Sequence, residues 1–220
     1  MLLEIACFNL RSCLIAQKAG AHRVELCENY KAGGVTPSEN LIIEARKNLQ
    51  IDLFVMIRPR EGNFIYSDSE FEQMKSQIKF CKQNNYDGIV FGILNSENKV
   101  DKTRCKELVE LAKPMQCTFH RAFDEIENSD EALEDIIDCG FSRILTSGKQ
   151  NIAIEGISLI QHLIKKASGR IIIMPGGGIR SSNISEIKKK INTTEFHSAA
   201  IINAEETADE TEIKKLLAAL

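Results

Sequence analysis

The sequence predicts a single-domain α/β protein, a (β/α)8 TIM barrel that spans residues 1–220, and two observations support this prediction. Short apolar segments alternate with helical patterns eight times, in units of about 27 residues. No linker or shift in composition interrupts the alternation. A doubly wound open sheet is the alternative, but such sheets more often stop at about five to seven strands.

Strands are predicted where short segments are rich in apolar or β-branched residues: 2–6, 22–26, 53–57, 88–92, 116–120, 143–147, 171–175 and 195–199. Helical patterns lie between them at 9–19, 38–49, 68–84, 102–113, 130–139, 153–167 and 182–190, with a last one near 209–219. Gly20 and Gly140 end the first and fifth helices, and Pro37 and Ser38 open the second.

Composition favours a reduced, cytoplasmic protein. The net charge of −3 gives no basic surface for nucleic acid or for an anionic membrane. No apolar run reaches the roughly 18 residues of a membrane span, and the segment MLLEIACFNLRSC lacks the basic leader of a signal peptide. The seven cysteines are scattered without a C-x-x-C pair, so we expect neither a disulfide framework nor structural zinc. We also expect no organic cofactor.

Polar residues collect at the carboxyl ends of the predicted strands, which is where TIM barrels place their chemistry. In chain order they are Glu4, Cys7, Glu25, Cys27, Arg58, Arg60, His120, Arg121, Asp124, Ser147, Gly148, Gly176, Gly177, Gly178, His197 and Ser198. The opposite rim receives ordinary turns. This bias predicts a functional site at one mouth of the barrel.

Three consecutive glycines, Gly176 to Gly178, stand between the seventh strand and the next helix. Glycine lets the backbone approach a ligand, and a helix amino terminus offers free N–H groups to an anion. We therefore predict an anion cradle here, with Ser147, Gly148 and Ser198 as neighbours in the barrel order. The alternative is a tight turn in which the glycines serve packing alone.

Arg58, Arg60 and Arg121 strengthen the case for an anion, because guanidinium groups bind carboxylate or phosphate oxygens in pairs. The alternative is that these arginines pair with inward-facing carboxylates such as Glu4, since a buried charge needs a partner. The residues alone do not choose between the two interpretations.

His120 is the first candidate for proton transfer, with Asp124 placed to orient it and Glu25 to assist. A hydrogen-bonded structural role is the alternative for His120, and His197 is a weaker candidate than His120. Cys7 and Cys27 end neighbouring strands, about 4.8 Å apart, where their sulfurs could share one Cu(I) ion. Their spacing carries no specificity of its own.

Several long blocks of the sequence resemble the CutC family, whose members are named as copper homeostasis proteins. The blocks are GAHRVELCENYKAGGVTPS, MIRPREGNFIYSDSEFEQM, DGIVFGIL, TFHRAFDE, SRILTSG and IIIMPGGGI. The resemblance implies a TIM barrel, a cytoplasmic location, a homodimer and an association with copper tolerance or Cu(I). It offers Cys7 and Cys27 as the copper ligands.

The chain departs from the family pattern at His22, where an acidic residue is usual, and at Pro175, where a small residue is usual. The segment after Ser198 is also short. Arg58, Arg60, His120, Arg121 and Asp124 match family signatures that are typical of a small-molecule site rather than a soft-metal site.

The sequence therefore leaves two functions open and does not decide whether the protein is an enzyme. One is a copper homeostasis protein. The other is a lyase-type or isomerase-type enzyme that acts on a small phosphorylated or carboxylated metabolite.

Overall fold

The computed structural model describes residues 1–202 and 205–220, and it confirms the predicted barrel. All neighbouring strands pair in parallel, in the order β7-β6-β5-β4-β3-β2-β1-β8. The strands are β1 Leu2–Cys7, β2 Arg23–Leu26, β3 Asp52–Met56, β4 Gly88–Phe91, β5 Gln116–Phe119, β6 Arg143–Thr146, β7 Ile172–Pro175 and β8 Glu195–Ser198. Every strand end lies within one residue of its predicted position.

Eight helices alternate with the strands along the described chain. They are α1 Leu10–Ala19, α2 Glu39–Asn48, α3 Asp68–Gln83, α4 Lys102–Ala112, α5 Ser129–Cys139, α6 Ile157–Ala167, α7 Ile184–Lys190 and α8 Glu210–Ala219. Gly20 and Gly140 end α1 and α5 as predicted, in the left-handed conformation with φ of 95° and 89°.

Helix α6 begins four residues later than predicted, at Ile157 instead of 153. Residues 153–156 form a turn, and the Ala153 N–H donates to the Gly177 carbonyl at 2.8 Å. This contact ties the loop after β6 to the glycine loop after β7. Apolar periodicity could not show it, because it joins loops that are far apart in sequence.

The barrel is nearly closed between β7 and β8. No ladder pairing joins these two strands within the described residues, but the Thr193 hydroxyl donates to the Ile173 carbonyl at 2.6 Å. On β1, Leu3, Ile5 and Cys7 belong to the apolar cluster between sheet and helices, whereas Ala6 lines the barrel interior. Alternation along each strand therefore separates a helix-facing set from an interior set.

Four charged residues, which we call the ion layer, fill the barrel near the amino ends of its strands: Arg23, Arg143, Glu4 and Glu195. Arg23 bonds both carboxylates, and Arg143 Nε donates to Glu195 at 3.0 Å. The Arg23 and Arg143 guanidinium carbons lie 4.6 and 5.0 Å from the ring centre of Phe54. Every charge of the layer thus has a partner, as burial requires.

Among the helices that the structure describes, none combines the length and apolar character needed to cross a bilayer. The segment after Ser198 reaches α8 in eleven residues. Asn203 and Ala204, which belong to the stretch where the sequence departs from the family pattern, lie outside the described residues.

Candidate functional site

A cavity of about 280 Å³ opens at the carboxyl ends of the strands, where the sequence predicts the site. Its lining comes from residues on or after β1, β2, β3, β5, β6, β7 and β8. Three of the lining side chains are arginines, namely Arg58, Arg121 and Arg180. The barrel therefore gathers distant segments of the chain around one cationic opening.

Arg58 follows β3 and is only 7% exposed. Its Nη atoms donate to the carbonyls of Ala32, Gly34 and Gly62 at 2.8 to 2.9 Å, and no carboxylate of the described residues pairs with it. A buried guanidinium held by neutral carbonyls has no paired counter-charge within the described residues. It is therefore prepared to attract an anion.

Arg180 follows β7 and, among the described residues, also bonds only neutral oxygens: the Ile179 and Ile201 carbonyls and, at 3.4 Å, the Ser198 hydroxyl. Arg121 is held by Asp124 through Nε and by Ser147 through Nη2, both at 2.8 Å. Its Nη1 has no acceptor within the described chain. Two of the three lining arginines thus lack a carboxylate partner there.

Arg60 does not reach the cavity. Its Nε donates to Glu70 at 2.6 Å, and its Nη atoms bond the carbonyls of Glu61, Asn63 and Ile65. The Arg60 side chain therefore stabilises the loop in which it lies. This agrees with the alternative that a rim arginine pairs with a carboxylate, but the carboxylate is Glu70 and not one that faces into the barrel. The sequence could not show this pairing, because Glu70 belongs to the first turn of α3.

Gly177 and Gly178 line the cavity with φ of 94° and 67°, whereas Gly176 lies behind them against Leu145 and His197. Neither the Gly177 N–H nor the Gly178 N–H has an acceptor among the described residues. Successive free N–H groups where the backbone turns can form an anion-binding concavity. Helix α7 takes no part in it, contrary to expectation, because it begins only at Ile184, after an intervening turn.

The other predicted neighbours of the glycine loop support it from behind. Ser147 bonds Asp124, Arg121 and the Gln150 carbonyl, and Gly148 packs against Gly156, so neither lines the cavity. Ser198 does line it, but its hydroxyl donates to the Ile179 carbonyl at 2.7 Å. Ser198 therefore joins the loops after β7 and β8.

His120 lines the cavity and is buried, but it is not arranged as a base. Its Nδ1 accepts the Ala122 N–H at 3.2 Å, so a neutral ring carries its proton on Nε2. Burial and the nearby Arg58 charge lower the pKa of His120 to about 3. The imidazole is therefore a neutral hydrogen-bond donor at physiological pH.

Asp124 does not orient His120, in contrast to the prediction. Its carboxylate accepts from the Thr146 and Ser147 hydroxyls, the Ser147 and Lys149 N–H groups, and Arg121. Asp124 thus organises the loop after β6. The number of its local donors could not be read from sequence.

Glu25 and His197 lie side by side in the cavity wall, with Glu4 behind them. The His197 Nδ1–H donates to Glu4 at 2.7 Å, and His197 Nε2 lies 3.8 Å from Glu25 Oε2. Burial opposes the charge of Glu4, but Arg23 and His197 outweigh it and lower the pKa of Glu4 to about 2. Glu4 therefore stays ionised and fixes the orientation of the His197 ring.

Glu25 is different because no guanidinium of the described residues pairs with it. Burial raises the pKa of Glu25 to about 7, although the His197 charge partly offsets the effect. Burial also opposes the charge of His197, but Glu25 and Glu4 together raise the pKa of His197 above its ordinary value. The two groups are close enough to exchange a proton through one water.

Glu4, Glu25 and His197 each offer one possible metal-ligand atom within 4.8 Å of the others. Within the described chain, these three residues form a cluster that could hold a metal ion. Oxygen and imidazole ligands suit divalent cations rather than Cu(I), which prefers sulfur. Glu4 is already bonded to Arg23 and to His197. Binding a metal here would therefore disrupt the ion layer.

Cys7 and Cys27 lie in different clusters, although their strands are neighbours. Cys7 packs with Cys13 between sheet and helices, whereas Cys27 packs with Phe54, Met56 and Val90 inside the barrel. Burial raises the pKa of both thiols well above the ordinary value, and the Cys27 thiol donates to Glu25 at 3.6 Å. This arrangement favours neutral thiols and does not fit a shared Cu(I) ion.

Four buried side-chain polar atoms lack a hydrogen-bond partner within residues 1–202 and 205–220: Glu25 Oε1, Arg58 Nε, Tyr66 Oη and His120 Nε2. Glu25, Arg58 and His120 line the cavity. Buried polar groups are normally satisfied, and an exception calls for a missing water, ion or ligand. Three of the four exceptions therefore belong to residues around one cavity.

Sequence analysis missed Arg180 and Phe64 and ranked His197 below His120. Arg180 stands two residues beyond the glycines, so the rule of strand ends could have included it. The ring of Phe64 lies 4.8 Å from that of His120 and 4.9 Å from the Arg58 guanidinium carbon. No local pattern announces this contact, since Phe64 lies in an irregular loop.

Comparison with known proteins identifies the family. The model of the CutC family matches residues 1–202. The human "Copper homeostasis protein cutC homolog" is 44% identical over 199 residues, which cover 90% of this chain and 73% of the relative. A CutC family protein from Chromobacterium violaceum is 44% identical over 199 residues, with 90% and 81% covered.

A solved structure agrees with the sequence comparisons. The copper homeostasis protein CutC from Streptococcus agalactiae superimposes with a TM-score of 0.86 at 36% identity, over 90% of this chain and 98% of that chain. The fold, the family model and the relatives therefore lead to one conclusion: the chain belongs to the CutC family.

Proposed function

We propose that the chain binds a small anionic metabolite in the cavity and transfers protons to and from it, as a lyase-type or isomerase-type enzyme. The observation that carries this proposal is that three residues lining one cavity, Glu25, Arg58 and His120, each carry a buried polar atom without a hydrogen-bond partner in the described chain. Buried residues with a purely structural role normally have hydrogen-bond partners, as the charged residues of the ion layer do.

The anion is held on the β7–β8 side of the mouth. Gly177 and Gly178 supply free N–H groups, Arg121 supplies a free Nη1, and Arg180 supplies a charge without a carboxylate partner among the described residues. These groups suit a phosphate or a carboxylate. The glycines are essential here, because a Cβ on Gly178 would approach Ile152 Cγ2 to 2.4 Å.

Glu25 carries the acid–base role in place of His120. A group with a pKa of about 7 is present in both protonation states at neutral pH, which is the condition for efficient proton transfer. His197 lies next to Glu25, and its position is fixed by the permanently ionised Glu4. His197 can therefore stabilise the carboxylate form of Glu25 and return a proton to it.

Calorimetric titration with inorganic phosphate tests the binding site. We expect saturable binding by the native chain and a loss of about tenfold or more in Arg180→Gln, since one charge-assisted hydrogen bond is removed. Arg170→Gln is the matched control, because Arg170 pairs with Glu134 on the surface away from the cavity. No binding, or equal binding by all three proteins, would overturn the proposal.

Proton transfer is tested by NMR in D2O with a panel of phosphorylated hydroxy and keto acids. The native chain should catalyse exchange of a carbon-bound hydrogen in at least one compound, and Glu25→Gln should abolish the exchange. Exchange at an undiminished rate in Glu25→Gln would remove Glu25 from this role.

The printed names of the relatives associate those proteins with copper homeostasis, so Cu(I) is tested at Cys7 and Cys27 although the two thiols lie in different clusters. An anaerobic titration with Cu(I) against a competing chelator tests it. Equal affinities in the native chain and in Cys27→Ala would exclude this pair of thiols, whereas a large loss would support them.

A further inference from the structure

We infer that the metabolite carries two oxygen-bearing head groups, one in the glycine cradle and one at a second subsite formed by Arg58 and His120. The inference rests on the proposed function and narrows its substrate class. The ligand is then a phosphorylated carboxylic or keto acid, rather than a compound with phosphate alone.

The two subsites face each other across the mouth of the barrel. Arg58 follows β3, and Gly177 and Gly178 follow β7. In the ring of eight strands, β3 and β7 are four positions apart, which is the largest separation available. Because both sets of residues line the same cavity, one ligand can reach both.

The second subsite is built from buried groups rather than from flexible surface residues. His120 is 4% exposed and Arg58 is 7% exposed. Both pack against the ring of Phe64, His120 by its ring and Arg58 by its guanidinium group. Gly92 gives the imidazole its place, because a Cβ there would approach His120 Nδ1 to 2.8 Å.

Both residues present a donor that nothing in the described chain accepts. Arg58 uses its Nη atoms on three carbonyls, and its Nε has no hydrogen-bond partner of good geometry in the described chain, although the neutral Tyr66 hydroxyl lies near the guanidinium. The Nδ1 atom of His120 accepts from Ala122, so the unpartnered Nε2 is the donor of the neutral ring. Two donors and one uncompensated positive charge select an oxygen with negative charge, as in a carboxylate or a polarised carbonyl group.

A divalent metal cannot occupy this subsite, since neither a guanidinium nor an N–H donor is a ligand. An ordered water is the alternative partner for both donors. A water would satisfy the hydrogen bonds but would leave the Arg58 charge uncompensated. The experiment below separates a water from a second head group.

The experiment compares phosphonates of matched length by calorimetry. One series ends in a carboxylate (phosphonoacetate, phosphonopropionate, phosphonobutyrate), and the other consists of methyl-terminated alkylphosphonates with the same number of carbons. We expect at least one carboxylate to bind the native chain about tenfold more tightly than its alkyl partner. His120→Phe, which keeps an aromatic ring against Phe64, should reduce this ratio to near one.

The outcomes distinguish this inference from the proposed function. If the alkylphosphonates bind but no carboxylate gains at any length, water fills the second subsite and only this inference is overturned. If no phosphonate and no inorganic phosphate binds, the proposed function itself fails. The ligand comparison on the native chain decides the question even if His120→Phe does not fold, and His120→Gln then serves as the second variant.

Discussion

The interior of the barrel contains two charged regions that use the same kinds of residues in opposite ways. In the ion layer, Arg23 bridges Glu4 and Glu195, Arg143 pairs with Glu195, and every charge has a partner. In the cavity above it, Arg58 and Arg180 bond only neutral oxygens among the described residues.

This difference separates structure from function within one barrel. Paired charges contribute to a specific interior and resist change, whereas unpaired charges cost stability unless a ligand completes them. Glu4 and Glu25 make the point most directly, because both are buried glutamates close to His197. Arg23 keeps Glu4 ionised, while Glu25, without such a partner, has a raised pKa.

The largest effect is expected from breaking the ion layer. Arg23→Met leaves Glu4 and Glu195 without their shared cation, and should lower the free energy of unfolding by about 3–5 kcal/mol. Arg180→Met, in the cavity, should change it by no more than about 1 kcal/mol. Urea denaturation of both variants checks the contrast, and equal losses would contradict it.

His120 makes the chain sensitive to acid. Because the pKa of His120 is about 3 in the folded chain and near 6.5 when unfolded, the unfolded state binds more protons between these values. Stability should therefore fall as pH drops from about 6.5 to 3, by several kcal/mol. The urea concentration at the denaturation midpoint, measured over this pH range, should fall less steeply in His120→Gln than in the native chain. If the two plots of midpoint against pH are parallel, His120 has an ordinary pKa.

Glu25 acts in the opposite direction. With a pKa of about 7 when folded and about 4.5 when unfolded, Glu25 makes the folded state the stronger proton binder in this window. The protonated form of Glu25 contributes to the free energy of unfolding below pH 4.5. This contribution, about 3 kcal/mol, is lost as the pH rises to 7. Glu25→Gln should be the more stable protein at pH 8, and a less stable variant there would contradict the raised pKa.

The smallest effect concerns Cys27, whose thiol donates to Glu25. Cys27→Ala removes a hydrogen bond that favours the carboxylate, and should raise the pKa of Glu25 by about half a pH unit. Cys27→Ser retains a hydrogen-bond donor and should leave the pKa of Glu25 nearly unchanged. Carbon NMR of labelled glutamate side chains measures both, and a lowered pKa in Cys27→Ala would reverse the assigned role.

The fold was predictable because each strand is short, apolar and followed by a helical pattern, and strand ends such as those of β4 and β6 therefore fell within one residue. That Arg58, Arg121, Gly177 and Gly178 meet at one opening was predictable, since a barrel fixes where strand ends meet. Whether an arginine is paired was not predictable. Arg60 bonds Glu70 from another element, whereas Arg180 bonds no carboxylate of the described chain.

The opposite orientations of Cys7 and Cys27 follow from the alternation of side chains along the strands. Alternation along β1 places Ala6 inside the barrel, so Cys7 must face the helices, away from Cys27. His120 shows the opposite case. Its low pKa depends on burial against Phe64 and on Arg58, and neither contact is visible in the residues around it.

A crystal structure grown in phosphate tests the central claim most directly, because it shows what partners the unpaired groups of the cavity take. The account predicts an anion bonded to the N–H groups of Gly177 and Gly178, with Arg121 and Arg180 turned toward it and the ion layer unchanged. A cavity in which ordered waters alone satisfy these groups at saturating phosphate would contradict the account.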